Sequence, residues 1–184
     1  MRNSPEQNRK LAKVAFGGGC FWCTEAVFLI LKGVVAVTPG YAGGQTNNPT
    51  YEEVSTGETG HAEVVLVEYD EKLISFEKVL EVFIASHDPT TLNRQGNDYG
   101  AQYRSILLYS LDDQRQAAEN YIKKLVAEKR YDKPIVTEIR PLEKFYPAEA
   151  YHEKYYATHP DAGYSKTIIA PKVAKVRQSF PDLT

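Results

Sequence analysis

The sequence predicts one α+β sandwich, a mixed sheet with helices packed on it, from three observations. Strand-like runs alternate with helical stripes, no repeat or linker divides the 184 residues, and an apolar content of 42% suffices for one core. Lys13 to Gly17 reads as a short buried strand that Gly17-Gly18-Gly19 breaks. From Cys20 to Leu31 the pattern turns helical, with Phe21, Phe28 and Leu31 near helical spacing and Gly33 as its stop. Val34 to Val37 is β-branched and strand-like, and the turn-rich run Pro39-Gly40-Tyr41-Ala42-Gly43-Gly44 follows. His61 to Tyr69 is the strongest strand, apolar on both faces through Val64 to Val67 as a central strand should be. Ser75 is a good N-cap for a helix striped by Phe76, Val79, Leu80, Phe83 and Ile84. The polar segment His87 to Gln102 is long for a loop, which marks it as functional. Tyr103 to Tyr109 returns to strand. Ser110 and Asp113 then form a capping-box pair for a helix striped by Ala118, Tyr121, Ile122, Leu125 and Val126. Ile135 to Ile139 is the last clear strand, and Tyr146 to Thr184 reads as mostly irregular, with short helical pieces near Tyr151 and Lys172. This order gives a split βαβ core of ferredoxin-like kind. It spans residues 1–184 as a single domain, with a flexible arm over 1–12 and an irregular tail from about 157.

A net charge of -2 gives no basic steering toward nucleic acid. No stretch approaches the roughly 20 apolar residues of a membrane span, and the polar start MRNSPEQNRKLAK lacks a signal-type apolar run. A cytoplasmic location is the expectation. Cys20 and Cys23 are too few for a secreted disulfide framework, and in a reducing compartment such a pair is more often redox-active or metal-binding. Thirteen tyrosines suggest a surface or pocket that uses rings with polar tips.

The chemistry centres on Gly18-Gly19-Cys20-Phe21-Trp22-Cys23. Glycines before a helix let backbone N–H groups converge, and the helix N-terminus adds partial positive charge. A dipole worth about 0.3–1 kcal/mol, and up to ~2 where partly buried, can bring a thiol from about 8.5 to near 7 at most. Two other readings stand beside this one. The cysteines can be small buried hydrophobes, or zinc ligands needing two more from His61, His87, His152 or His159, none of which has finger-type spacing. Glu63 shares a strand face with Val65 and Val67, where burial raises a carboxyl's pKa and leaves it a proton donor near neutrality. It reads equally as a carboxylate at a frayed strand end in a salt bridge. Taken singly, Tyr51 and Tyr103 are packed rings with satisfied hydroxyls, and Asp98 is a turn residue.

In combination these runs resemble the A-type peptide methionine sulfoxide reductases. The resemblance rests on Gly19-Cys20-Phe21-Trp22, Gly40-Tyr41-Ala42-Gly43-Gly44, Pro49-Thr50-Tyr51, Thr59-Gly60-His61-Ala62-Glu63 and His87-Asp88-Pro89-Thr90. The most telling run is Asn93 to Ser105, NRQGNDYGAQYRS, and together they cover about Lys13 to Tyr156 in the right order. The resemblance implies reduction of methionine S-sulfoxide, free or in proteins, as repair of oxidative damage. It implies Cys20 as nucleophile and Glu63 as acid. Tyr51 and Tyr103 would hydrogen-bond the sulfoxide oxygen, Asp98 would hold the polar side of the pocket, and Phe21 and Trp22 would cage the S-methyl group. It calls for no cofactor or metal, and for thioredoxin or another thiol as reductant of a monomeric enzyme. A thiolate at Cys20 and a carboxylate at Glu63 would repel each other, so the pair should titrate as one unit that substrate shifts.

Many relatives carry recycling cysteines in the C-terminal tail and glycine at the position of Cys23. Here Tyr164 to Thr184 has no cysteine, so Cys23 is the internal candidate to resolve a Cys20 sulfenic acid. The alternative is that Cys23 packs and an external thiol resolves Cys20. Two rival functions remain. A thioredoxin-type dithiol oxidoreductase would have no use for Glu63, Tyr51 and Tyr103, and a non-catalytic module binding oxidised methionine would have none for Cys20.

Overall fold

The computed structural model describes residues 10–184. Its first strand, β1 (Leu11–Gly17), takes in Leu11 and Ala12, so the expected arm is shorter than 1–12; the rest of that expectation, residues 1–9, lies outside the described residues. Helix α1 (Phe21–Leu29) follows, then β2 (Val34–Ala42), the short α2 (Tyr51–Ser55), β3 (Ala62–Asp70) and α3 (Phe76–Ser86). The polar loop holds a two-residue hairpin, β4 (Arg94–Gln95) with β5 (Asp98–Tyr99), and a 3-10 turn at Ala101–Tyr103. Strand β6 (Ile106–Tyr109), α4 (Asp112–Ala127), β7 (Glu138–Pro141) and β8 (Phe145–Pro147) lead to α5 (Tyr155–Thr158) and α6 (Ala170–Ser179).

The main sheet has the order β7-β6-β1-β3-β2-β8. Its centre, β6-β1-β3-β2, is antiparallel throughout, with β3 between β1 and β2, which is the split βαβ arrangement the element order implies. Only β7 runs parallel to its neighbour, β6. Alternation sorts the side chains. Val14, Phe16, Val65, Val67 and Leu107 face α1, α3 and α4, where Phe16 stacks between Phe28 and Phe83. Ala15, Val64, Ile106 and Leu108 form a thinner layer on the opposite face, with Leu142 and Phe145. Among the described residues no helix is long and apolar enough to cross a membrane.

Several local expectations need correction. Pro39 to Ala42 is strand and not turn, because β8 crosses there and Gly40 is needed: a Cβ on Gly40 would collide with the Phe145 ring and the Tyr146 carbonyl. Tyr103 ends a 3-10 turn, and the strand begins only at Ile106. The start of α4 is capped by Gln114, whose Oε1 accepts the Ser110 and Leu111 amides at 2.8 and 3.2 Å, and not by a Ser110–Asp113 box. The strand expected over Ile135 to Ile139 lies at β7, later by a few residues. The tail is not irregular. A π-helical turn, Ser165–Ile169, continues into α6, whose second residue is Pro171. Ile169 and Val173 pack on Cys23 and Ala26 of α1, so the tail is built onto the helix that carries both cysteines.

Candidate active site

Cys20 is the N-cap of α1, with extended backbone (φ -56°, ψ 128°), directly after Gly19 at φ +94°. Two glycines make this entry possible. Gly19 takes a left-handed conformation open to glycine, and a Cβ there would press on the Gln95 side chain at 2.7 Å. Gly18 lies against the His87 ring, whose Cγ is 3.0 Å from where a Cβ would stand. The polar loop can therefore close over the start of the helix. Cys20 is half-buried and Cys23, one turn on, is 2% exposed. The start of the helix, through the Trp22 amide, favours the Cys20 thiolate. That effect is outweighed: the Cys23 side chain, burial and Glu63 push the Cys20 thiol well up. The dipole argument read alone from the sequence gave the wrong sign for Cys20. Cys23 is instead brought down, by its hydrogen bond with Cys20, against burial, and by the positive charge of Lys172.

Glu63, at the start of β3 opposite Tyr41, is only 2% exposed. Its Oε2 accepts the Phe21 amide at 3.0 Å, and it forms no ion pair among the described residues, so the frayed-end salt bridge is not what this chain builds. Burial pushes its carboxyl up to about 8 against the pull of that amide, and the negative charges of Asp98 and Cys23 add to the rise. At neutral pH it holds its proton.

Tyr51 opens α2, which Thr50 and Glu53 cap reciprocally. Its ring lies 6.5 Å from that of Phe21 at 21°. The hydroxyls of Tyr51 and Tyr103 are held protonated by burial first and the Glu63 charge second, with Cys20 also acting on both. The two phenols, the acid and the thiol thus share one neighbourhood. Asp98, at the start of β5, accepts the Tyr164 hydroxyl at 3.4 Å, and burial raises its carboxyl.

Phe21 is 1% exposed, its ring packed by His152 at 4.9 Å and Tyr41 at 5.9 Å. Trp22 stacks on Tyr155 at 3.6 Å and 4°, which covers one face of the indole. A cavity of 260 Å³ opens on the sulfurs and is lined by Cys20, Cys23, Gln95, Gly96, Asn97, Asp98, Tyr164, Ile168 and Lys172. Of the residues singled out in the sequence, Cys20, Cys23 and Asp98 border this space, and Glu63, Tyr51, Tyr103, Phe21 and Trp22 do not.

Sequence reasoning missed a supporting set from the tail. His152 is 1% exposed and its Nδ1 accepts the Trp22 indole N–H at 3.1 Å. Glu149 accepts the Tyr41 hydroxyl at 2.7 Å and the Tyr51 amide at 3.0 Å, and stands 3.8 Å from His152 Nε2. Glu25, buried on α1, accepts the Lys154 amide at 2.7 Å and anchors the turn that presents Tyr155. The density of tyrosine and histidine after Tyr146 was the available signal. It named no partner, because each contact reaches back about a hundred residues.

The model of the family described as peptide methionine sulfoxide reductase matches residues 12–184. A peptide methionine sulfoxide reductase MsrA of Saccharolobus solfataricus is 55% identical over 166 residues, which are 90% of this chain and 93% of that one. The crystal structure of Mxr1 from Saccharomyces cerevisiae in reduced form is similar with TM-score 0.77 and 31% identity, covering 88% of this chain and 91% of that one. The structure of the same yeast protein in complex with Trx2 has TM-score 0.56 at 23% identity, over 84% and 89% of the two chains, and speaks to the fold alone.

Proposed function

This chain belongs to the peptide methionine sulfoxide reductase family, and we propose that it reduces methionine S-sulfoxide at Cys20 with Glu63 as the proton donor. The observation that carries the reading is a carboxyl buried at 2% exposure, aimed at the Phe21 amide beside Cys20 and ionising only near 8. A sulfoxide oxygen is a weak leaving group unless protonated, and Glu63 has a proton to give at neutral pH. Tyr51 and Tyr103 keep theirs and add hydrogen bonds to the same oxygen. Phe21 and Trp22 offer ring faces to the methyl group once substrate spreads the aromatic cluster, and Asp98 holds the polar rim.

The step moves one oxygen. The Cys20 sulfur attacks the sulfoxide sulfur, the thiol and Glu63 supply two protons, and the oxygen leaves as water. Water then attacks the Cys20 sulfur and breaks its bond to the methionine sulfur, giving methionine and a Cys20 sulfenic acid and returning one proton to Glu63. The high resting pKa of Cys20 fits this scheme, because the positive end of the S–O dipole lowers it only when substrate is present. A thiol restores the enzyme, and thioredoxin is the reductant that this reading assigns. The reading places the protein in the cytoplasm as a monomer.

The test is turnover of separate S and R epimers of a methionine sulfoxide peptide, with dithiothreitol, for the natural chain and Cys20→Ser. Reduction of the S epimer alone, abolished in the variant, is the expected result. Reduction of neither epimer by the natural chain overturns the reading.

A further inference from the structure

We propose that Tyr164 and Lys172, on the C-terminal helical segment, form with Cys23 a second reaction centre that closes a Cys20–Cys23 disulfide after each turnover. The proposal rests on the reading that Cys20 becomes a sulfenic acid, and it assigns work to residues which that reading leaves idle.

The geometry is that of a built site. Tyr164 places its hydroxyl 3.7 Å from the Cys23 sulfur and 3.4 Å from Asp98 Oδ2, and it lines the same cavity as Cys20. The phenol therefore touches the sulfur that would attack and shares a cavity with the residue it would join. Its position is fixed twice over: Tyr164 meets Trp22 edge-on at 5.9 Å, and the next residue, Ser165, is fully buried. Lys172 lines the same cavity and has no ion pair among the described residues. An uncommitted cation beside a thiol favours its thiolate. The two cysteines stand one turn apart and line the same cavity, and Cys23 N–H donates to the Cys20 carbonyl at 3.1 Å. Closure of the disulfide thus needs short travel at the first turn of α1.

The step balances with what the first reaction leaves behind. The Cys23 thiolate attacks the sulfenic sulfur of Cys20, an S–S bond forms, and the Cys20 S–O bond breaks. Hydroxide leaves and takes the Tyr164 proton to become water, and Asp98 or solvent returns a proton to the phenol. Cys23 is oxidised and Cys20 reduced, with the sulfenic acid as the only oxidant. Tyr164 touches the reacting atoms and is a catalytic residue here; Lys172 acts through Cys23 and is a positioning residue. The charged and titratable groups facing Cys23 are Cys20 on α1, Asp98 on β5, and Tyr164 and Lys172 on the tail, with Glu63 of β3 beyond Cys20.

The experiment mixes reduced, reductant-free enzyme with one equivalent of a methionine S-sulfoxide peptide. Acid-quenched samples are read for methionine and, by peptide mass, for the Cys20–Cys23 disulfide. In the natural chain the two should rise together. In Tyr164→Phe and in Lys172→Met disulfide closure should lag methionine release by about tenfold or more, with sulfenic acid captured by dimedone in the interval. Lys172→Met should also move the midpoint of closure rate against pH upward, and Lys172→Arg should restore it. Closure that keeps pace with methionine in both variants overturns the proposal, as does loss of the methionine burst itself in Tyr164→Phe. A natural chain that releases methionine without this disulfide overturns it too. No methionine from the natural chain would instead sink the reductase reading on which it rests.

Discussion

On one side of Cys20 stand the buried Glu63 and the half-buried Tyr51 and Tyr103, without a cation among the groups that act on them. On the other stand Cys23, Asp98, Tyr164 and Lys172, around an open cavity. Both sides offer acids and phenols to the same sulfur, yet they hold protons oppositely: Glu63 keeps its proton to about 8, whereas Cys23 is eased toward the thiolate. Residue type does not make this difference. Burial without a counter-charge keeps protons on, and the neighbouring Cys20 thiol, helped by one lysine, lets a proton go. A single nucleophile can thereby meet a donor when it attacks and a second nucleophile when it must be relieved.

Removing the donor breaks the contrast most severely. Glu63→Gln keeps the shape and the Phe21 N–H acceptor but has no proton to give, so turnover of the S epimer should fall by about 10²–10⁴-fold. Stability should move the other way, and its sign follows from linkage. The folded carboxyl ionises near 8 and an unfolded one near ~4.3, so the stability it lends is complete at low pH and is lost as pH rises through 8. The glutamine variant should melt with the natural chain at pH 4 and several degrees above it at pH 9. A variant that loses activity but melts lower at pH 9 would mean that Glu63 is charged and paired in the folded enzyme.

The same contrast explains what was legible in the sequence. The Glu63 side is written in local patterns: a central strand with an acid on its apolar face, and a glycine-led helix start. The split βαβ core was legible for the same reason, because period-2 and 3.6-residue patterns are local. The other side depends on the tail, where Ile169, Val173 and Val176 face inward among lysines and a proline that hide the stripe. A mid-tail π turn has no sequence rule comparable to a cap. Cys23 was visible as a candidate, but Tyr164, Lys172, His152 and Glu149 act on residues far back in the chain, 66 residues for Tyr164 on Asp98 and 141 for Tyr164 on Cys23, and spacing carries no information at that range. Charge balance was legible in part: the repulsion between Cys20 and Glu63 of β3 could be foreseen from the sequence, whereas the larger effect of Cys23 in the same turn of helix could not.

A smaller effect tests whether the tail also serves the aromatic wall. Tyr155 lies flat on Trp22 at 3.6 Å, while His152 holds the indole N–H. Tyr155→Ala removes the stack and leaves the hydrogen bond. Such a pair is worth ~0.5–1.5 kcal/mol, so kcat/KM should fall by about 2–10-fold, chiefly through KM. Trp22 is the one tryptophan, so the intrinsic fluorescence of the chain reports on it directly and should shift to the red in the variant. An unmoved emission with an unchanged KM would mean that Trp22 is placed by His152 alone.

The finest test concerns a residue that could be mistaken for a base. His87 packs against Gly18, two residues before Cys20, and a Cys–His pair is a familiar way to make a thiolate. Its nitrogens are already engaged: Nδ1 lies 2.8 Å from the Phe83 carbonyl and Nε2 2.7 Å from the Ser105 hydroxyl, which meets Thr137 at 2.8 Å. Burial brings the ring down to about 4, so it is neutral wherever the enzyme works and offers Cys20 no cation. A depressed folded pKa means that its contribution to stability is full above ~6.5, is eroded as pH falls below that, and is gone by about 4. Proton NMR of the imidazole should show His87 silent from pH 8 to 5. The exposed His159 supplies a reference signal in the same spectra. A His87 resonance that titrates near 6.5 and moves with Cys20 alkylation would place a cation beside the nucleophile. The division of Cys20's surroundings into a proton-holding side and a thiolate-favouring side would then fail at its first premise, since both sides would carry positive charge.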